Sequence, residues 1–219
     1  MKSFYYLRVK ESTPLCEIMG RNQSDKGNKD IINSWHNYTT FYYTIFKNLR
    51  YTNLRIFELG LGTNNINMPS NMGINGRPGA SLYGWKEFFP NSEIFGADID
   101  TNILFNTDKI KTFYCDQTNS EIIKKMWNEL ALQDNFDIII EDGLHNFNAN
   151  VCFFENSIHK LNPKGYFIIE DIQIHEKDLF VNKIKQWKTQ FTNCSFTFLE
   201  IPSTCNNCDN NLLVVYKFP

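Results

Sequence analysis

From residue 54 onward, apolar runs of strand length alternate with longer segments of helical length, and this alternation constrains the fold more than any other feature. The five strongest runs are LRIFELG (54–60), SEIFGADI (92–99), IKTFYCD (110–116), FDIIIED (136–142) and GYFIIED (165–171). Between the later ones lie SEIIKKMWNELAL (120–132) and NANVCFFENSIHKL (148–161), both with apolar positions at helical spacing. Strand, helix, strand, helix predicts a parallel sheet covered on both faces. After a further helical segment, EKDLFVNKIKQWKT, come the strands CSFTFLEI (194–201) and NLLVVYKF (211–218). The loop between them, PSTCNNCDN, holds no helix, so these two strands should run antiparallel.

The first 50 residues are rich in aromatic and amide side chains. NYTTFYYTIFKNLR puts Tyr38, Tyr42, Phe46 and Leu49 near helical spacing, which predicts an amphipathic helix laid over the main domain, its aromatics used for packing. At 219 residues the chain has room for one full α/β domain. The expected organisation is a single domain, 1–219, with an N-terminal helical cap over 1–50 and a Rossmann-like core over 51–219. A mostly parallel α/β sheet closed by a C-terminal antiparallel hairpin resembles the plan of the class I S-adenosylmethionine (SAM) methyltransferases.

A formal charge of −2 and a pI near 6.1 give no basic excess, which argues against a nucleic-acid partner. No apolar run approaches the ~18 residues of a membrane span, and MKSFYYLRVKES has no sustained apolar core, so a cytoplasmic protein is expected. The six cysteines sit mostly in apolar segments and read as free thiols. Cys205 and Cys208 have the spacing of a zinc knuckle, but no second pair stands at a matching distance.

In an open parallel α/β sheet, ligands bind beyond the carboxyl ends of the strands, where the strand order reverses. The first strand ends FELGLGTNN, bringing Glu58, Gly60 and Gly62 to that edge. The second ends ADID, where Asp98, with Asp100 in reserve, can accept hydrogen bonds from both hydroxyls of a ribose. The third ends CDQ, placing Asp116 and Gln117 where an adenine edge could be read. The chain departs from a NAD fingerprint, because Gly62 is followed by a long polar insertion and the helix starts only near Ser81. Insertions of this length in compact domains are usually functional lids or disordered.

Two further strand ends carry acid pairs, Glu141-Asp142 and Glu170-Asp171. If adjacent, they lie roughly 5 Å apart, and carboxylates so crowded repel unless something neutralises them. A hard divalent cation is the simplest candidate, with helix capping as the bland alternative. His145, in the loop after Gly143, is placed to act as a base near neutral pH. Glu141 faces the opposite way from Asp142 and is expected to be structural. Of the other histidines, His36 and His175 could border the site, and His159 sits in a helical pattern.

The blocks SDKG (24–27), HNY (36–38), LR (49–50), FELGLG, GASLYGWKEFFPNSEIFGADID, CDQ, DGLH and PKGYFIIEDI, in that order, resemble the metal-dependent sugar O-methyltransferases that tailor macrolide antibiotics, the mycinose-type enzymes. The resemblance covers roughly residues 20–175. It implies SAM and magnesium as cofactors, Asp142, Glu170 and Asp171 as metal ligands, and His145 as the catalytic base. It further implies Glu58 and Gly60 along the cofactor, beside the Gly62 that the strand end itself offers for cofactor binding, Asp98 at its ribose, Asp116 and Gln117 near its adenine, and Lys26 and Tyr38 in contact with cofactor or substrate. A homo-oligomer is also implied. Leu144 departs from the family, which commonly has serine there.

The last forty or so residues carry no diagnostic match, so the acceptor is open. A composition heavy in Asn, Lys, Ile, Phe and Tyr points away from macrolide producers and toward a nucleotide-linked sugar or another precursor of a surface glycan. Two rivals stand beside this reading: a catechol-type O-methyltransferase of the same fold, and a non-catalytic SAM- or nucleotide-binding module.

Overall fold

The computed structural model describes residues 4–6 and 11–219. Its strands are β1 (Phe4–Tyr6), β2 (Arg55–Leu59), β3 (Glu93–Asp98), β4 (Ile110–Tyr114), β5 (Phe136–Glu141), β6 (Leu161–Ile169), β7 (Cys194–Glu200) and β8 (Asn211–Lys217). They form one sheet in the order β1-β7-β8-β6-β5-β2-β3-β4. β8 runs antiparallel to both β6 and β7, and every other pairing is parallel. Seven of these strands match the predicted runs. The eighth, β1, pairs with β7 at the sheet edge, so the N-terminal segment is not purely helical. Three residues are too few for alternation to show.

The helices are α1 (Pro14–Arg21), α2 (Tyr38–Phe46), α3 (Ala80–Phe88), α4 (Ser120–Trp127), α5 (Phe147–Ser157) and α6 (Lys177–Gln190). They divide between the sheet's faces. Ile138 and Ile140 of β5 pack with Leu15, Tyr42 and Trp85 from α1, α2 and α3, whereas Ile139 packs with Trp127, Phe153 and Trp187 from α4, α5 and α6. A strand buried on both faces is why the Ile138–Ile140 run is continuously apolar rather than alternating. Each large side chain so buried contributes about 1.5–3 kcal/mol, so the two layers, not the polar strand ends, hold the fold together. The N-terminal helices are therefore half of one sheet face rather than an addition to it. No helix among the described residues is long and apolar enough to cross a membrane.

Two connections bear on the site. The insertion after β2 is pinned by its own hydrogen bonds: the Met72 N–H donates to the Thr63 carbonyl (2.9 Å), and the Asn64 amide donates to the carbonyls of Gly73 (2.8 Å) and Gly76 (2.7 Å). It then reaches the loop after β5, where the Ser70 hydroxyl donates to the Leu144 carbonyl (3.0 Å). The β7–β8 loop docks on the segment before α2. Asn37 donates to the Pro202 carbonyl (2.9 Å), and Asn210 donates to the Asn37 amide oxygen (2.8 Å). Cys205 and Cys208 lie in this loop as exposed free thiols.

Candidate active site

Strand order reverses between β2 and β5, since β3 and β4 follow β2 on one side and β6 follows β5 on the other. A cavity of about 410 Å³ opens at that point. β2 and β5 are joined there by the Asp142 N–H donating to the Leu59 carbonyl (2.9 Å). Gly60 follows with φ of 88°, and a Cβ on it would stand 1.8 Å from the Asp142 carbonyl oxygen. No side chain fits between the two strand ends. Gly60→Ala is accordingly expected to lower the thermal midpoint by the equivalent of about 1–3 kcal/mol more than Gly73→Ala, measured by calorimetry, because Gly73 shares the positive φ (71°) but its Cβ would meet nothing within 4 Å.

One end of the cavity is walled by Gly60, Gly62, Asp98, Asp116 and Gln117. Asp98 is held by two backbone donors, Leu61 N–H (2.7 Å) and Asp100 N–H (2.8 Å), one to each oxygen. Each carboxylate oxygen has a second lone pair, so Asp98 can still accept from two hydroxyls. Burial raises its pKa, partly offset by those backbone donors. Asp100 instead fastens the start of the insertion through Thr63 (2.5 Å). Gln117 donates to Glu141 (2.9 Å) and accepts from the Leu144 N–H (2.7 Å). Glu141 is fully buried, and burial pushes its carboxyl up to about 7 against the lowering effect of the Gln117 amide. It faces away from the cavity, as alternation requires, and orients the amide that holds the loop carrying His145.

The acid pairs do meet. β5 and β6 are adjacent and parallel, and the Glu170 N–H donates to the Glu141 carbonyl (2.9 Å). His145 Nε2 lies 3.1 Å from Asp142 and 3.5 Å from Asp171, and one donor atom from each of the three falls within 4.8 Å of the others. His145 and Asp171 hold left-handed backbone, φ 54° and 53°. Such strain outside glycine costs about 1–3 kcal/mol and clusters at functional sites. Asn146, which caps α5 by accepting from the N–H groups of Asn148 and Ala149, fixes where that loop ends.

Lys26 sits at the centre of the acids, 2% exposed, its ammonium 2.5 Å from Asp142, 2.5 Å from Glu170 and 3.5 Å from Glu58. Burial alone would lower its pKa, but those three carboxylates outweigh it and hold it well above the usual lysine value. Burial likewise works to raise Asp142, yet Lys26 and His145 keep it well below the usual carboxylate range. Burial carries Glu170 far up despite Lys26, and Tyr42 donates to it.

Three predicted site residues thus stand behind the cavity wall rather than on it. Glu58 is fully buried and accepts from Ser81 (2.5 Å) and Trp85 (2.5 Å). Tyr38 donates to Asp171 (2.7 Å) and to the Asp209 carbonyl (3.0 Å). Glu170 turns away from Asp171, as neighbours on a strand end do, and pairs with Lys26 outside the Asp142–His145–Asp171 triad. Lys26, Asp142, His145 and Asp171 line the cavity. His36, with Nε2 3.5 Å from Asp171, borders the site as expected. Tyr42 had no signal of its own, being one aromatic among several in α2. The carboxylates of Asp142 and Asp171 offer oxygen donors that fit a hard divalent ion such as magnesium or manganese, and the imidazole beside them is free to act as a base.

The family model described as a methyltransferase domain matches residues 75–210, more than half of the chain. The chain belongs to the methyltransferase domain family. Its fold is the class I methyltransferase fold, as the MycE methyltransferase of the mycinamycin biosynthetic pathway, in complex with Mg and SAH, also shows: TM-score 0.70, 21% identity, covering 95% of this chain and 55% of that one. Two relatives of known activity are similar to this chain in sequence. One is 8-demethyl-8-(2-methoxy-alpha-L-rhamnosyl)-tetracenomycin-C 3'-O-methyltransferase of Streptomyces olivaceus, 29% identical over 168 residues, 76% of this chain and 39% of the relative. The other is mycinamicin VI 2''-O-methyltransferase of Micromonospora griseorubida, 31% identical over 138 residues, 63% of this chain and 32% of the relative. The chain spans about a third to two-fifths of the length of these two relatives.

Proposed function

We propose that this methyltransferase moves a methyl group from SAM to a sugar hydroxyl with the help of a divalent ion. The observation that carries the reading is the meeting of Asp142, His145 and Asp171 beside a cavity whose other end presents Gly60, Asp98 and Gln117. The relatives named as O-methyltransferases support the reaction class, and the Mg and SAH of the MycE complex support the cofactors.

The residues that would hold SAM line the cavity at the ends of β2, β3 and β4. Asp98 would take the ribose hydroxyls, Asp116 and Gln117 would border the adenine, and Gly60 and Gly62 would leave room for the chain between. Tyr38 and Glu58 act one layer behind, and Lys26, on the wall itself, fixes the Asp142 and Glu170 carboxylates. Asp142 and Asp171 would hold the ion, which when bound would lower the pKa of a neighbouring hydroxyl by several units. His145 takes the acceptor's proton on Nε2. Burial would lower the His145 pKa, but Asp171 and Asp142 push it up to about 10. Once those carboxylates are engaged elsewhere, the imidazole loses the partners that hold its proton and can serve as a neutral base. Leu61 and Met72 give the cavity wall an apolar side.

The name of the tetracenomycin relative specifies a sugar already joined to an aglycone, which favours a glycosylated small molecule as acceptor. A nucleotide-linked sugar or surface-glycan precursor is the finer alternative. The six free cysteines suit the reducing cytoplasm, and a homo-oligomer, testable by sedimentation, belongs to the same reading. The test is a mass-spectrometric screen of glycosides, nucleotide-sugars and catechols with SAM and magnesium. One sugar should gain one methyl group, lose that turnover with excess chelator and regain it with added magnesium. Methylation of catechols alone would refute the sugar reading, and SAM binding without turnover on any acceptor would leave a binding module.

A further inference from the structure

The cavity has an end that no role above uses. Of the four tryptophans, Trp85, Trp127 and Trp187 are at most 4% exposed, whereas Trp35 is 54% exposed and lines the cavity together with Asp25, His36 and Asp209. An indole left half in water forgoes much of the burial it could gain, and this one is held there firmly. Ser34 and His36 on either side of it are 1% and 3% exposed. The Ser34 hydroxyl donates to the Asp30 carbonyl (3.0 Å) and accepts from the Asn28 N–H (3.2 Å), while the His36 N–H donates to the Asp25 carbonyl (3.3 Å). His36 stacks on Tyr38 at 4.8 Å and meets Trp35 edge-on at 6.2 Å. Its Nε2 lies 3.5 Å from Asp171, so only one side chain separates the indole from the triad.

Resting on the sugar reading above, we infer that Trp35 is the stacking platform of the acceptor subsite: the apolar face of a pyranose ring lies on its indole, and Asp25 and Asp209 accept hydrogen bonds from ring hydroxyls. A pyranose fits this arrangement because it carries C–H bonds on one face and donors around its rim, which matches an indole flanked by carboxylates. The Asp209 carboxylate is itself held in place, accepting from Asn206 (2.6 Å) and Gln173 (3.0 Å). Those bonds tie the subsite to the β7–β8 loop, so acceptor choice resides partly in that loop.

The test uses tryptophan emission, since acrylamide reaches Trp35 far more readily than the three buried indoles. A methyl pyranoside added to the wild-type protein with SAM and magnesium should shield Trp35 from quenching, and catechol should not. Trp35→Ala should raise KM for the sugar acceptor on the order of tenfold while kcat, SAM affinity and thermal midpoint stay near wild type, and Trp35→Phe should recover most of the loss. Shielding without methylation of any sugar would keep the subsite and remove the proposed reaction. Methylation with no shielding, and an unchanged KM in Trp35→Ala, would overturn the subsite and leave the reaction standing. Neither shielding nor methylation would overturn both.

Discussion

Replacing Lys26 by methionine is expected to destabilise the protein by about 3–5 kcal/mol, the usual cost of breaking a buried ion pair by removing one partner. Methionine nearly preserves the volume and deletes the charge, so the loss is electrostatic. Asp142, Glu170 and Glu58 would be left facing one another with the ammonium 2.5–3.5 Å from each of them gone. Urea denaturation followed by circular dichroism measures the loss, and Glu170→Gln added to Lys26→Met should recover part of it. A second readout separates charge from packing. An ion that binds only the folded state stabilises it by mass action, so magnesium should raise the thermal midpoint of Lys26→Met more than that of wild type. Equal shifts would mean that Lys26 and the ion do not compete for Asp142.

His145→Ala should cost about 10²–10⁴-fold in kcat, the usual contribution of a positioned acid–base group. Its KM for SAM should hardly change, because His145 lies at the triad and not at the Asp98 end of the cavity. Single-turnover rates with saturating SAM measure this directly. Asp142→Asn should lose comparable activity for a different reason, weakened ion binding, so raising magnesium should rescue it in part and leave His145→Ala unmoved. If both variants respond alike to magnesium, the division between base and ligand is wrong.

Much of the scaffold could be read from residue order because its causes are local. A parallel strand buried on both faces must be continuously apolar, and Ile138–Ile140 is. Strand ends at a reversal of order face a cavity, which brought Asp98, Gln117, Asp142 and Asp171 to one wall. What could not be read depends on distance along the chain. Lys26 meets Asp142 and Glu170 across separations of 116 and 144 residues, and no local pattern encodes that. The same holds for Tyr42, an aromatic in an apolar stripe until Glu170 is placed on its hydroxyl. Glu170 and Asp171 are sequence neighbours that take different partners, Lys26 and Tyr38, and residue order alone does not tell which partner each one meets. Glu141, expected to be structural, does face away from the cavity, and only the folded chain shows what it holds: Gln117, and through it the loop of His145.

The clasp between the segment before α2 and the β7–β8 loop sets a schedule for biogenesis. Asn37 meets Pro202 and Asn210 across separations of 165 and 173 residues, and Tyr38 meets the Asp209 carbonyl while also gripping Asp171. Contacts this distant form late and slow folding. A ribosome that has released Lys26, Asp142 and His145 has therefore still not made a finished cavity. The cavity wall at Asp209 is complete only when residues 202–210 have emerged and docked on the segment before α2.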